Sequence, residues 1–87
     1  MLVPNFNPVA VGTVIRRLRQ ERRLSQEVCS GLAGIARSHL AMIENHGKKP
    51  NFETIWRIAN ALELFPHELI KKIEQVAQQT EKSHPSQ

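Results

Sequence analysis

Two short apolar periods separated by a glycine break constrain this chain more than any other feature. Val28, Cys29, Leu32 and Ala33 recur at one- and three-residue steps and stop at Gly34. After Gly34-Ile35-Ala36, a second period resumes at Arg37 and runs to about Asn45, with Leu40 and Ile43 facing inward. Ser25 supplies a hydroxyl ahead of Gln26-Glu27, as a helix start requires, and Gly34 stands where a helix ends in a left-handed residue. Ser30, four residues before Gly34, is small where the two helices would cross, and Ile35, Leu40 and Ile43 anchor the second helix from behind. Arg37, Ser38, Ala41 and Met42 are left facing outward. Two short helices joined by a tight turn are the arrangement that lays one helix in a DNA major groove while the other braces it. Residues 25–46 therefore read as a helix-turn-helix.

The flanking segments supply the rest of a helical bundle. Residues 1–8, with Pro4, Asn5, Asn7 and Pro8, read as an arm that Val3 and Phe6 tack onto the domain. From Val9 to about Arg22 a first helix turns Val11, Val14, Ile15 and Leu18 inward and Arg16, Arg17, Arg19, Gln20 and Arg23 outward. A basic loop, His46-Gly47-Lys48-Lys49-Pro50, leads to Asn51, which caps a fourth helix with Phe52, Ile55, Ile58, Ala59 and Leu62 at three- and four-residue steps. Trp56 lies beside that stripe and reads as packing. Leu64-Phe65-Pro66 makes the next break, with Pro66 suited to a first helical position. A fifth helix then carries Leu69, Ile70, Ile73, Val76 and Ala77 on one side. Residues 81–87 read as a frayed polar tail. The expected fold is all-α: a compact five-helix bundle with an extended C-terminal helix over residues 9–80.

Composition narrows the chemistry. Eighty-seven residues make one small domain with a modest core and little room for an enclosed substrate cavity. The net charge of +4 suits a polyanionic partner. With one cysteine, Cys29, no internal disulfide or cysteine-based zinc site can form, and its place on an apolar face makes it a small core residue. His46, His67 and His84 share no helical spacing suited to a metal, and the chain has no aspartate, so no Ser-His-Asp set exists. No phosphate-binding loop, signal peptide or membrane-length apolar run is visible. The expectation is a cytoplasmic protein, associated with the nucleoid through DNA, that is not an enzyme and carries no cofactor, metal or small-molecule effector.

The segments Arg16-Arg17-Leu18-Arg19-Gln20-Glu21-Arg22-Arg23-Leu24-Ser25-Gln26-Glu27, then Leu32 through Asn45, then Lys49-Pro50-Asn51-Phe52-Glu53-Thr54-Ile55 and Ile58-Ala59-Asn60-Ala61-Leu62, resemble the Xre/Cro/cI-type helix-turn-helix domains of the lambda-repressor-like fold. The resemblance covers about residues 11 to 70 without an internal gap. It implies that Arg37, Ser38 and Met42 face base edges. An arginine there forks onto guanine O6 and N7, a serine serves either base type, and a methionine touches a thymine methyl. It implies phosphate contacts from Gln26, at the amide-rich start of its helix, and from His39, Asn45, Lys48, Lys49 and Asn51 along the groove. It implies, too, a partly buried salt bridge between Arg19 and Glu44. Four positions depart from the family pattern: Gly31 for a long polar residue, Ala36 for a capping serine or threonine, Glu63 for a glycine and Phe65 for a capping serine.

The resulting expectation is a sequence-specific regulator of transcription that binds double-stranded DNA in the major groove. It is expected to be a homodimeric repressor of a palindromic operator. Ile73, Val76 and Ala77, which extend the fifth helix by two apolar turns, are the candidate dimer seam. The competing reading is a protein-interaction module, or an antitoxin-type partner, that keeps the fold with weak or no specific DNA binding.

Overall fold

A computed structural model describes residues 3–83 as five helices: α1 (Pro8–Glu21), α2 (Gln26–Ala33), α3 (Arg37–Glu44), α4 (Phe52–Ala61) and α5 (Pro66–Ser83). Among the described residues there is no strand, and no helix is long and apolar enough to cross a membrane. The start of each helix follows from local chemistry. Asn7 Oδ1 accepts the Val9 and Ala10 amides at 3.0 and 3.2 Å, so α1 begins at Pro8, one residue before the apolar period. Pro8 has no N–H to leave unsatisfied there. Ser25 Oγ accepts the Val28 amide at 3.0 Å and Asn51 Oδ1 the Thr54 amide at 2.8 Å. Ala36 opens α3 with no side-chain cap. At Phe65 the Glu68 carboxylate reaches back to the Phe65 amide at 2.8 Å, the return half of a capping box without its hydroxyl.

α1 packs on α3 and α5, α2 on α3 and α4, and α4 on α5. Val14, Ile15, Cys29, Leu40, Ile43, Ile58, Leu62 and Leu69 lose all contact with water at the centre. Leu24, Ile35, Leu64, Ile73 and Val76 close the rim. Only the small side of α2 faces this core: Cys29, Ser30 and Ala33 are buried, whereas Val28 and Leu32, which share its apolar period, are exposed. A two-turn helix wedged between α3 and α4 has its outer flank left uncovered. Phe52 likewise leaves the core stripe of α4. It is exposed, and its ring meets half-exposed Trp56 edge-on at 5.8 Å.

Two further expectations change at α5. The helix runs to Ser83, three residues into the segment read as a tail, because Glu81, Lys82 and Ser83 interrupt nothing that a helix needs; residues 84–87 lie outside the described residues. Ala77, placed on the dimer seam, is 4% exposed and belongs to the protomer's own interior. Ile73 and Val76 are half-buried, and Ile70 is the exposed member of the stripe. Val3 to Asn7 line a shallow groove together with Ile70, Ile73, Glu74 and Ala77, but Val3 and Phe6, expected to tack the arm down, are 84% and 64% exposed, because no helix covers their outer sides.

Candidate nucleic-acid interface

The geometry of the α2–α3 unit is set by its turn. Gly34 adopts φ 71° and ψ 32°, where a side chain costs energy and glycine does not. The Ile35 amide bonds back to the Ser30 carbonyl at 3.0 Å and the Gly34 amide to Gly31 at 3.2 Å. A Cβ on Gly34 would also stand 2.9 Å from the Arg57 guanidinium. Ser30, 3% exposed, returns its hydroxyl to the Glu27 carbonyl at 3.1 Å, so the close crossing leaves no unsatisfied polar group.

Behind this unit lies a buried polar cluster. Arg19 Nε and Nη2 donate to Glu44 Oε2 and Oε1 at 2.7 and 2.9 Å, a two-pronged pair with side chains 11% and 1% exposed. Arg19 Nη1 donates to the Leu24 carbonyl at 2.8 Å, and Gln26 Nε2 donates to Glu44 Oε1 at 3.0 Å. α1 and the start of α2 thus meet at the carboxylate that ends α3, and the α1–α2 turn joins them through the Arg19 guanidinium. The bond to Glu44 raises the Arg19 pKa further above its already high value, against the opposing effect of burial. Burial pushes the neighbouring Cys29 thiol up, the charge of Glu44 adds to that shift, and Arg19 opposes it.

The side chains expected to meet DNA fall as follows. Arg37, Ser38 and Met42 are exposed on α3, with Met42 43% exposed. Asn45, Lys48, Lys49 and Asn51 are exposed along the α3–α4 connection, and His39 is half-buried. Gln26 differs from the rest in that it is half-buried and its amide nitrogen is already given to Glu44, which leaves its side-chain oxygen as an acceptor. Asn51 uses its oxygen as the α4 cap, leaving its NH2 as a donor. Such a surface can bind an anion by charge and amide dipoles and can read a groove with side chains.

One residue of the scaffold escaped sequence reasoning. Gly12 is buried in α1 where a Cβ would run into the Ile43 carbonyl and stand 2.7 Å from His46 Nδ1 and 3.0 Å from the Glu44 carbonyl. The end of α3 rests directly on α1 backbone there. The available signal was a glycine inside an otherwise regular helical period, far from any turn.

A helix-turn-helix family profile, HTH_3, matches residues 15–70, from the middle of α1 to the first turns of α5. This chain belongs to that family. Comparison with curated proteins found no significant match. Among solved structures, the HTH_3 chain is similar to the restriction-modification controller protein C.AhdI from Aeromonas hydrophila, at 34% identity and TM-score 0.69 over 71% of this chain and 94% of that one. It is similar to the controller protein C.Esp1396I, solved as a tetramer in complex with its natural 35 base-pair operator. That match has 26% identity and TM-score 0.68 over 79% of this chain and 96% of that one. An HTH_3 family transcriptional regulator from Vibrio cholerae matches at 26% identity and TM-score 0.71, over 79% of this chain and 39% of that one.

Proposed function

We propose that this helix-turn-helix DNA-binding regulator of transcription acts as a homodimeric repressor on a short inverted repeat, placing α3 of each protomer in the major groove. The observation that carries the reading is the α2–α3 unit itself. Its inner side is locked by Arg19, Gln26 and Glu44, while Arg37, Ser38 and Met42 stand exposed on its outer side. Arg37 takes the guanine-reading role, Ser38 and Met42 refine the choice of base, and Gln26, His39, Asn45, Lys48, Lys49 and Asn51 hold phosphates. Two-fold pairing sets the reading helices about one DNA turn (~34 Å) apart. Half-buried Ile73 and Val76, with exposed Ile70, are the α5 surface we assign to that seam. The protein would work in the cytoplasm on nucleoid DNA, with occupancy set by its concentration. That two of the similar proteins are restriction-modification controllers, one of them seen on its operator as a tetramer, supports the operator-binding part of this reading.

The test is selection of binding sites from a random duplex pool, followed by titration of the winning site at two salt concentrations. Tight binding to an inverted repeat that weakens steeply with salt is expected. Arg37→Ala loses discrimination at one or two base pairs by about 1–3 kcal/mol, and Lys49→Ala weakens all sites alike. Failure to enrich any sequence would overturn the proposal. It would favour the protein-interaction reading, for which exposed Val28, Leu32, Phe52 and Trp56 speak.

A further inference from the structure

Five arginines occur between residues 16 and 23, and their partners differ. Arg19 is neutralised by Glu44, and Arg22 reaches the Leu18 carbonyl at 3.5 Å. Among the described residues Arg16, Arg17 and Arg23 make no ion pair or hydrogen bond through their side chains, and all three are exposed.

Their directions separate them. At about 100° per residue, Gly12, Arg16 and Arg19 lie within roughly 60° of one another on α1, whereas Arg17 is about 100° further round. Gly12 and Arg19 are both fixed against the end of α3, one by backbone contact with Ile43 and Glu44, the other by the ion pair. Arg16 therefore lies on the α1 edge that borders the end of α3. Arg23 occupies the α1–α2 turn with φ 56°, two residues before Ser25, whose hydroxyl caps α2. Glu44, the carboxylate at the end of α3, is already held by Arg19 and Gln26, and among the described residues no ion pair of Arg16 or Arg23 with Glu27 is formed. Glu21 falls about 140° from Arg16, on the far side of α1.

We infer that Arg16 and Arg23 form a phosphate-binding rail along α1, holding the DNA backbone that flanks the groove entered by α3. Arg19, between them, holds the scaffold and adds no net charge. The two free guanidinium groups on either side offer the forked donors that phosphate oxygens accept. Arg23 shares its phosphate with the α2 amides, while Arg16 extends the contact surface beyond the helix-turn-helix. The inference rests on the DNA-binding reading and adds a second, sequence-blind contact line to it.

The test uses the full chain and a labelled mixed-sequence DNA duplex, with binding followed by anisotropy across a potassium chloride series. Each phosphate contact contributes about 0.9 to the slope of log K against log salt. Arg16→Gln and Arg23→Gln are each expected to lower the slope by about that amount per protomer. Arg17→Gln should leave it unchanged, with thermal midpoints confirming that all three variants fold. If the first two variants keep the wild-type slope while the wild type binds with steep salt dependence, the rail is wrong and the DNA-binding reading stands. An equal loss from Arg17→Gln also overturns the rail, because bulk charge then accounts for the effect. Absence of salt-dependent binding by the wild type overturns both.

Discussion

Glu44 holds the end of α3 against α1 and α2 at once, and it does so 1% exposed. Two ionised groups removed from water gain little over an apolar pair, but removing one partner leaves a bare charge inside. Glu44→Gln keeps the shape and strands the Arg19 guanidinium, so it should lower stability by about 3 kcal/mol in urea denaturation. A loss below about 1 kcal/mol, the range of exposed pairs, would mean that water reaches Arg19 in solution. Cys29 gives the residue scale a pH signature. Its folded pKa is raised, with burial the main cause, so the unfolded chain releases the thiol proton first as pH rises. The stabilising contribution is full below the ordinary thiol range, about pH 8.5, and is lost as pH climbs through the folded pKa. Urea midpoints should therefore fall between about pH 8 and pH 10, and Cys29→Ala should flatten that slope even though it lowers the midpoint overall. An equal slope in both proteins would place the titrating group elsewhere.

At the scale of the element, the helices end alike and start differently. After α1, α2, α3 and α4 a left-handed residue is followed by an amide that bonds back into the last turn: Leu24 to Arg19, Ile35 to Ser30, Gly47 to Met42 and Leu64 to Ala59, at 2.8–3.1 Å. Only Gly34 is a glycine; Arg23, His46 and Glu63 hold φ of 56°, 68° and 57° with a side chain present. Glu63→Gly should therefore raise stability by about 0.5–1 kcal/mol, the strain relieved being partly offset by glycine's extra freedom when unfolded. At the other ends, Asn7, Ser25 and Asn51 cap their helices and Ala36 does not. Ala36→Ser should add about 1 kcal/mol by accepting an amide in the first turn of α3. A gain in both stability and DNA affinity would indicate that fraying of α3 limits binding in the natural sequence. A gain in stability alone would show that α3 is already fully formed when it meets DNA.

At the scale of the whole molecule, the contact between Gly12 and the end of α3 sets how close the reading helix lies to the bundle. Gly12→Ala places a methyl group against backbone that cannot swing aside. It should cost about 1–3 kcal/mol and shift α3 outward, visible as a lower thermal midpoint and weakened operator discrimination. Unchanged stability would show that α1 and α3 have slack between them.

How much of this was legible in the chain depends on distance along it. The helix starts at Ser25, Asn51 and Pro66, the stop at Gly34 and the inward stripe of Leu40 and Ile43 follow from residues within four positions of one another. Local hydrogen bonding and helical period therefore specify them, although helices this short hold only once packed. The outward lie of Val28, Leu32 and Phe52 and the interior place of Ala77 were settled by which flank a neighbouring helix covers, and an apolar period does not say how wide that cover is. The Arg19–Glu44 pair was anticipated by family resemblance. The claim of Gln26 on the same carboxylate, the rest of Gly12 beneath α3 and the alignment of Arg16 beside that seam were not. The first two join residues 18 and 31 positions apart, and only the packing of α1, α2 and α3 brings them together.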